Sequence, residues 1–491
     1  MLRLDRDGRA PAALVAVALV GFLIALFGTY WDDAWHTEKG RDSFLVAPHI
    51  ALYLGISLAG GALALWAALV VWARGLGALR SHPPLLLALV GMAVALGAAP
   101  LDNAWHLAFG RDAVVWSPPH MLGVAGNLAI AAALLLELSD RPGRWQSGAA
   151  LIAGAAVLAV GAVPVLEYET DVPQFDLAFY LPVLIAGTSF ALGLVRRALR
   201  RDWAATEVAL VYTAILASIS LALELGGMPG PLVPLIVAPA LAVDFAARRG
   251  SGLLLSAFVV TAATYLAYVP YLNWLRGDIF LDAQAILVGL PLALLGALCG
   301  LGLAWLSRSG PKPRSPLAAT AVLGLSLLLV GSASAHDPGQ GEEVTSADLT
   351  ATSDGTRASL RVEPAEHCDD LKPIRIVARR AGETLAGPLE QTAGCEFAGQ
   401  LTLGDRGRWF VYAEFDHQGN RTETWLPIDS GRDEVREEAD RSLYVPPQVE
   451  SSGVKVAAGI AMYGVLLAIG IAIPLLFRRR EGDGPLPTPA E

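Results

Sequence analysis

Asp32-Asp33-Ala-Trp-His36 is followed by Gly40-Arg41-Asp42 and Pro48-His49, and the same order returns as Asp102-Asn-Ala-Trp-His106, Gly110-Arg111-Asp112 and Pro119-His120. In each set a carboxylate stands four residues before one histidine, and a second histidine follows thirteen residues later in the first set and fourteen in the second. Imidazole and carboxylate together bind Cu, Zn or Fe, and coordination geometry rather than ligand type separates these ions. The candidate metal ligands are therefore Asp32, His36 and His49, and Asp102, His106 and His120. On a helix, a four-residue spacing puts both side chains on one face, and each Pro-His pair reads as the start of the next helix. Arg41 with Asp42, and Arg111 with Asp112, read as ion pairs that orient the ligands from behind.

The elements that must position these residues are membrane helices. With 491 residues, 54% hydrophobic content and a mean hydropathy of +0.49, the chain is too apolar for a soluble protein. Apolar stretches near the ~20 residues that cross a bilayer fall at about 11–30, 47–73, 83–101, 118–138, 147–166, 175–195, 205–225, 229–247, 252–274, 281–306, 316–334 and 456–477, so about twelve transmembrane helices are expected. Arginine clusters before the first span and in every second connection after it, which places both termini in the cytoplasm of a bacterial-type plasma membrane. Both Asp/His sets, the acidic loop Glu167 to Asp171 and the segment 336–450 then lie outside. Seven of the eight histidines fall on that side, and only His82 falls inside. The net charge of −10 leaves no basic stripe, so a nucleic-acid partner is excluded.

Four units result: a bundle over 1–335 with the repeated sets at 31–60 and 101–130, an extracytoplasmic β-sandwich over 336–450, an anchor helix over 451–478 and a disordered tail over 479–491. The β assignment rests on alternating runs such as Ile374-Arg-Ile-Val-Ala separated by turn residues. Cys368 and Cys395 share this unit and suit a disulfide in an oxidising compartment, whereas Cys299 sits in an apolar span as a packing residue. Ser332-Ala-Ser-Ala335 before His336 has the small-x-small pattern of a signal-peptidase site. Cleavage there would expose a histidine whose amine and ring chelate metal, with His367 and His417 as further ligands; without cleavage His336 is an ordinary juxtamembrane residue. Among ionisable residues in the apolar spans, Glu137, Glu207 and Asp244 fit snorkelling near span ends, and Glu224 beside Gly226-Gly-Met-Pro-Gly does not. Tyr265, Tyr268 and Tyr271 read as an aromatic belt or as the lining of a polar path.

Asp32-x-x-Trp35-His36, Arg41-Asp42 and the proline-containing run ending at His49 resemble the signature of the C subunit of the copper-dependent membrane monooxygenases, the particulate methane and ammonia oxidisers. The resemblance covers about eighteen residues in each set. Spacing agrees in the first set, while the second carries one extra residue before His120, and the family has one such motif per subunit where this chain has two. The resemblance implies copper on Asp32, His36 and His49 near the outer face, and hydroxylation of a small apolar substrate by dioxygen. The His336 segment is similar to small secreted copper carriers of the CopC type and to the monooxygenase B subunit, which begin a β domain with such a histidine. The alternative expectation is a copper transport or handling protein without catalysis, and the ligand types alone also suit zinc or iron. Expected partners are the lipid bilayer, a small apolar substrate with dioxygen, and a copper-delivery protein or a second copy of the chain.

Overall fold

The computed structural model describes residues 4, 8–39, 45–109 (the backbone alone over 106–109), 115–139, 141, 143–173, 175–276, 280–307, 342–404, 407–431, 434–446 and 453–477. Arg41, Asp42, Arg111, Asp112, the expected span at 316–334, His336 and the tail 479–491 lie outside them. Ten helices among the described residues are long and apolar enough to cross a membrane, which makes this an all-α polytopic membrane bundle with a β domain before the last helix. The bundle runs α1 (Ala12–Lys39), α2 (Ala47–Arg74), α3 (Pro83–Phe109), α4 (Pro118–Ser139), α5 (Arg144–Ala162), a short α6 (Leu166–Glu169), α7 (Tyr180–Leu199), α8 (Ala204–Leu225), α9 (Val237–Arg248), α10 (Leu253–Arg276) and α11 (Ala283–Trp305). The C-terminal helix Gly453–Leu476 returns to pack on α4.

Helices that share a bilayer gain little from burying apolar side chains against one another, so small residues that let backbones approach are what hold them. The α1–α2 hairpin is built this way. A Cβ on Gly55 would lie 2.3 Å from the Ala25 nitrogen, one on Gly21 2.6 Å from the Ala59 nitrogen, and one on Gly28 2.7 Å from the Leu52 nitrogen. The α3–α4 hairpin repeats the device: a Cβ on Gly126 would lie 2.5 Å from the Ala95 nitrogen and one on Gly91 2.8 Å from the Gly126 carbonyl oxygen. Gly21 and Gly91, Gly55 and Gly126, and Ala25 and Ala95 stand at the same offsets as Asp32 and Asp102, and His49 and His120.

The stretch expected to span at 229–247 differs. Only Val237–Arg248 is helical, twelve residues, too short to cross. Pro229, Pro231 and Pro234 precede it, and proline removes the backbone donor a helix needs. The non-helical backbone finds partners inside the protein: the Leu232 amide donates to the Glu169 carbonyl at 2.8 Å, and the Tyr271 hydroxyl to the Val233 carbonyl at 2.8 Å. Asp244 does not snorkel. It is fully buried, pairs with Arg196 at 2.8 Å, and accepts from the amides of Ala205 and Thr206 in the first turn of α8, donors that have no partner within their own helix. Glu137 likewise turns inward, accepting the Ala10 amide at 3.0 Å and pairing with Arg141. Tyr268 is buried and shares a 2.6 Å hydrogen bond with Tyr180, so it is part of the core.

The β domain is one nine-stranded antiparallel sheet in the order β4-β3-β7-β8-β9-β1-β2-β6-β5. Its strands are β1 (Glu342–Asp354), β2 (Arg357–Pro364), β3 (Leu371–Arg380), β4 (Glu383–Gly387), β5 (Leu389–Ala393), β6 (Glu396–Thr402), β7 (Gly407–His417), β8 (Asn420–Ser430) and β9 (Val435–Val445). The sheet curls on itself in barrel-like fashion, so that alternate residues such as Val362, Ile376, Phe397, Trp409 and Phe415 share one core. A second apolar cluster joins the domain to the bundle: Val172, from the loop after α6, sits among Phe410, Tyr412, Trp425 and Tyr444. Around it Arg380 pairs with Asp171 at 2.7 Å and donates to its carbonyl at 2.8 Å, the Ala381 amide donates to the Pro173 carbonyl at 2.9 Å, and Arg408 pairs with Glu38.

Two outcomes follow from these contacts. Gly55→Ala forces a methyl group into the α2–α1 contact and is expected to cost about 1–3 kcal/mol, seen as a lower thermal midpoint in detergent; an unchanged midpoint would show that the helices stand further apart. Arg380→Ala leaves the carboxylate of Asp171 without its buried partner and is expected to cost about 3 kcal/mol, with faster proteolysis between the domain and the bundle as the readout.

Candidate metal centre

Asp32 and His36 occupy the last turns of α1, one helical turn apart on one face, with His36 Nε2 3.6 Å from Asp32 Oδ2. His49 is the third residue of α2, directly after Pro48 in the first turn, and its Nε2 lies 3.1 Å from the other oxygen, Asp32 Oδ1. One carboxylate therefore faces two imidazoles, whose ring centroids are 6.4 Å apart. One donor atom from each of Asp32, His36 and His49 lies within 4.8 Å of the others, and all three side chains are largely buried. An ion held at ~2.0–2.2 Å by nitrogen and oxygen donors needs those donors about 3–3.5 Å apart, so a small contraction converts this cluster into a three-ligand face. The residues present fit a metal.

The second set converges on the same place. Asp102 near the end of α3 stands 3.2 Å from Nε2 of His120, which is the third residue of α4 as His49 is of α2. Asp32, His36, His49, Asp102 and His120 all line one cavity of about 160 Å³. The side chain of His106, the remaining member, lies outside the described residues, as do both Arg-Asp pairs. Below the polar groups the walls are apolar, built from Phe22, Leu26, Ile56, Val124 and Val160.

Several participants give no signal in the sequence. Thr29 and Asn127 add polar atoms to the cavity wall, but each stands alone in an apolar run. Glu167 and Glu169, which look like solvated loop residues, are buried: Glu167 accepts the Val115 amide at 2.9 Å and so ties down the entry to α4, and Glu169 accepts from Tyr30 at 3.4 Å, half a turn before Asp32. Trp116 is held by a 2.9 Å bond from its indole to the Pro164 carbonyl. In the β domain, Cys368 and Cys395 are joined in a disulfide, and His367 and His417 come together with a residue the sequence did not single out, Asp370.

No protein-family model matches this chain, and neither the curated proteins nor the solved structures contain a match. What defines the site is its geometry.

Asp32→Asn keeps the shape of the side chain while removing the charge that both imidazoles face, and His49→Ala removes one donor. Each is expected to lose a bound metal equivalent in elemental analysis of the detergent-purified protein; full metal content in both variants would exclude this cluster as a site.

Proposed function

We propose that this protein is a copper-binding membrane protein that oxidises a small apolar substrate with dioxygen at the outer face of a bacterial-type plasma membrane. The observation that carries the reading is the placement of Asp32, His36 and His49 in a cavity of about 160 Å³ whose wall also carries the apolar side chains Phe22, Leu26, Ile56, Val124 and Val160. A cavity of ~150 Å³ accommodates a guest the size of benzene, so the volume beside the apolar walls suits a substrate of a few heavy atoms. The likeness of the Asp32 to His49 run to the copper-dependent monooxygenases favours copper over zinc. The alternation of arginine between connections supports the orientation, with the β domain outside.

Bound copper would supply the one-electron chemistry that dioxygen requires. The chain does the rest. Asp32 fixes the angle of two imidazoles through one carboxylate, which presets the donor face before an ion arrives. Phe22, Leu26, Ile56 and Val124 bind the substrate by apolar contact and keep bulk water from the reacting atoms. Asp102 and His120 present a second carboxylate–imidazole pair to the same space, which we assign to a second ion. Insertion of one oxygen atom into a C–H or N–H bond consumes two electrons and two protons and releases one water, and a membrane quinol is the reductant class that reaches such a site from the bilayer.

The test is oxygen uptake by the copper-loaded protein in lipid nanodiscs with a reduced quinol, in the presence of short alkanes or ammonia. Substrate-dependent uptake with formation of the hydroxylated product is expected for the native chain, and at most background uptake for Asp32→Asn. A type-2 copper signal without any substrate-dependent uptake would shift the assignment to copper handling, and zinc in place of copper would end the monooxygenase reading.

A further inference from the structure

The β domain carries an imidazole–carboxylate cluster of its own, and it does not depend on the membrane site. His367 and His417 stand with ring centroids 5.4 Å apart. One donor atom from each of His367, Asp370 and His417 lies within 4.8 Å of the others. The cluster is assembled from two chain segments. His367 adopts the left-handed conformation (φ 66°) and caps the single turn Cys368–Asp370, whose last amide donates to the His367 carbonyl at 3.1 Å, so that Asp370 is brought round beside it. Left-handed backbone at a residue with a Cβ costs free energy and persists only where surrounding structure imposes it. Cys368 lies within the ligand turn and is bonded to Cys395, between β5 and β6, which ties this turn to the sheet.

His417 comes from the far end of β7, in register with Leu371 of β3 on one side and Asn420 of β8 on the other. Its Nε2 is screened from solvent and has no hydrogen-bond partner among the described residues. A buried nitrogen in that state is costly, and an ion between the two rings would satisfy it.

We propose that His367, Asp370 and His417 bind a divalent copper or zinc ion at the tip of the β domain, on a turn held in place by the Cys368–Cys395 disulfide. Two imidazoles and a carboxylate suit both ions, and Cu²⁺ binds such a set more tightly than Zn²⁺. His367 and Asp370 are exposed, so coordination positions remain open to water or to a donor protein. β7 begins at Gly407, beside the Arg408–Glu38 pair at the bundle, and ends at His417. At ~3.3 Å per residue the strand places the tip about 30 Å from that contact. The tip therefore loads from the surrounding compartment and does not share an ion with Asp32.

The experiment uses the full-length chain in detergent with Asp32→Asn, His49→Ala, Asp102→Asn and His120→Ala, which disables both carboxylate–imidazole sets of the membrane cavity, titrated with Cu²⁺ against a chromophoric chelator and followed by electron paramagnetic resonance. Expected is a high-affinity Cu²⁺ with couplings from two imidazole nitrogens, lost in His417→Ala and in the nearly isosteric Asp370→Asn. The double variant Cys368→Ser, Cys395→Ser should bind at least about tenfold more weakly while keeping its β-sheet circular dichroism. Unchanged affinity and spectra in both His417→Ala and Asp370→Asn would overturn the site, and unchanged affinity in the double serine variant would overturn the role of the disulfide. Because the membrane ligands are already absent, neither result bears on the centre at Asp32.

Discussion

The approach of α2 to α1 at Gly28 is the constraint on which the Asp32–His36–His49 cluster rests. Gly28 lies one turn before Asp32, and Leu52 lies about one turn after His49. With no Cβ on Gly28 the two backbones come together until the position that atom would occupy is 2.7 Å from the Leu52 nitrogen. That closeness, continued down the hairpin by Gly21 and Gly55, lets a short aspartate on one helix reach a histidine on the other at 3.1 Å. In the second hairpin the small residue has changed sides: Ala98 takes the place of Gly28, and Gly123 the place of Leu52, with a Cβ on Gly123 lying 3.7 Å from that of Ala98. Asp102 and His120 end 3.2 Å apart. Two different solutions to the same steric problem give the same donor spacing, which argues that the spacing is what the packing serves.

Charged groups at this depth need compensation, because a carboxylate removed from water loses several kcal/mol of hydration. Asp32 receives it from two imidazoles, while Glu167 and Glu169 receive it from an amide and a tyrosine hydroxyl. Among these acidic groups Asp32 alone has both of its oxygens directed at metal-type donors. The others are tied to backbone or hydroxyl groups that hold the loops around the cavity, so facing the imidazoles and building the wall are divided between carboxylates by what each one touches.

How far the sequence revealed this varies with the range of the interaction. Asp32, His36 and His49 could be read because a four-residue spacing on a helix and a Pro-His helix start are local signals. The helical bundle and the alternating β strands follow from hydrophobic period in the same way. The glycines that set the spacing carry no such local signal, although Gly21 and Gly91 stand at the same offset as Asp32 and Asp102; glycine is abundant in membrane helices, and its meaning depends on which helix lies opposite. The 229–247 stretch misled because hydropathy sums Leu232, Val233, Leu235 and Ile236 without regard to the three prolines among and before them. Asp370 has no local signal because its histidine partner on β7 is distant in sequence, and only the pairing of β3 with β7 brings them together.

The β domain also has a structural bearing on the membrane site. α1 ends at Lys39, just after His36, and the last carbonyls of a helix have no partners within it. Arg441 of β9 donates to the carbonyls of Glu38 and Lys39 while its guanidinium lies over the Trp425 ring at 5.0 Å, and Arg408 of β7 pairs with the Glu38 side chain. Cations at this position also oppose the negative end of the helix dipole. A turn that carries a ligand at the end of a helix would otherwise be the first part to fray. Held between Gly28 below and two arginines above, the segment from Asp32 to His36 is fixed at both ends, and the tethered domain completes the helix that presents the donors.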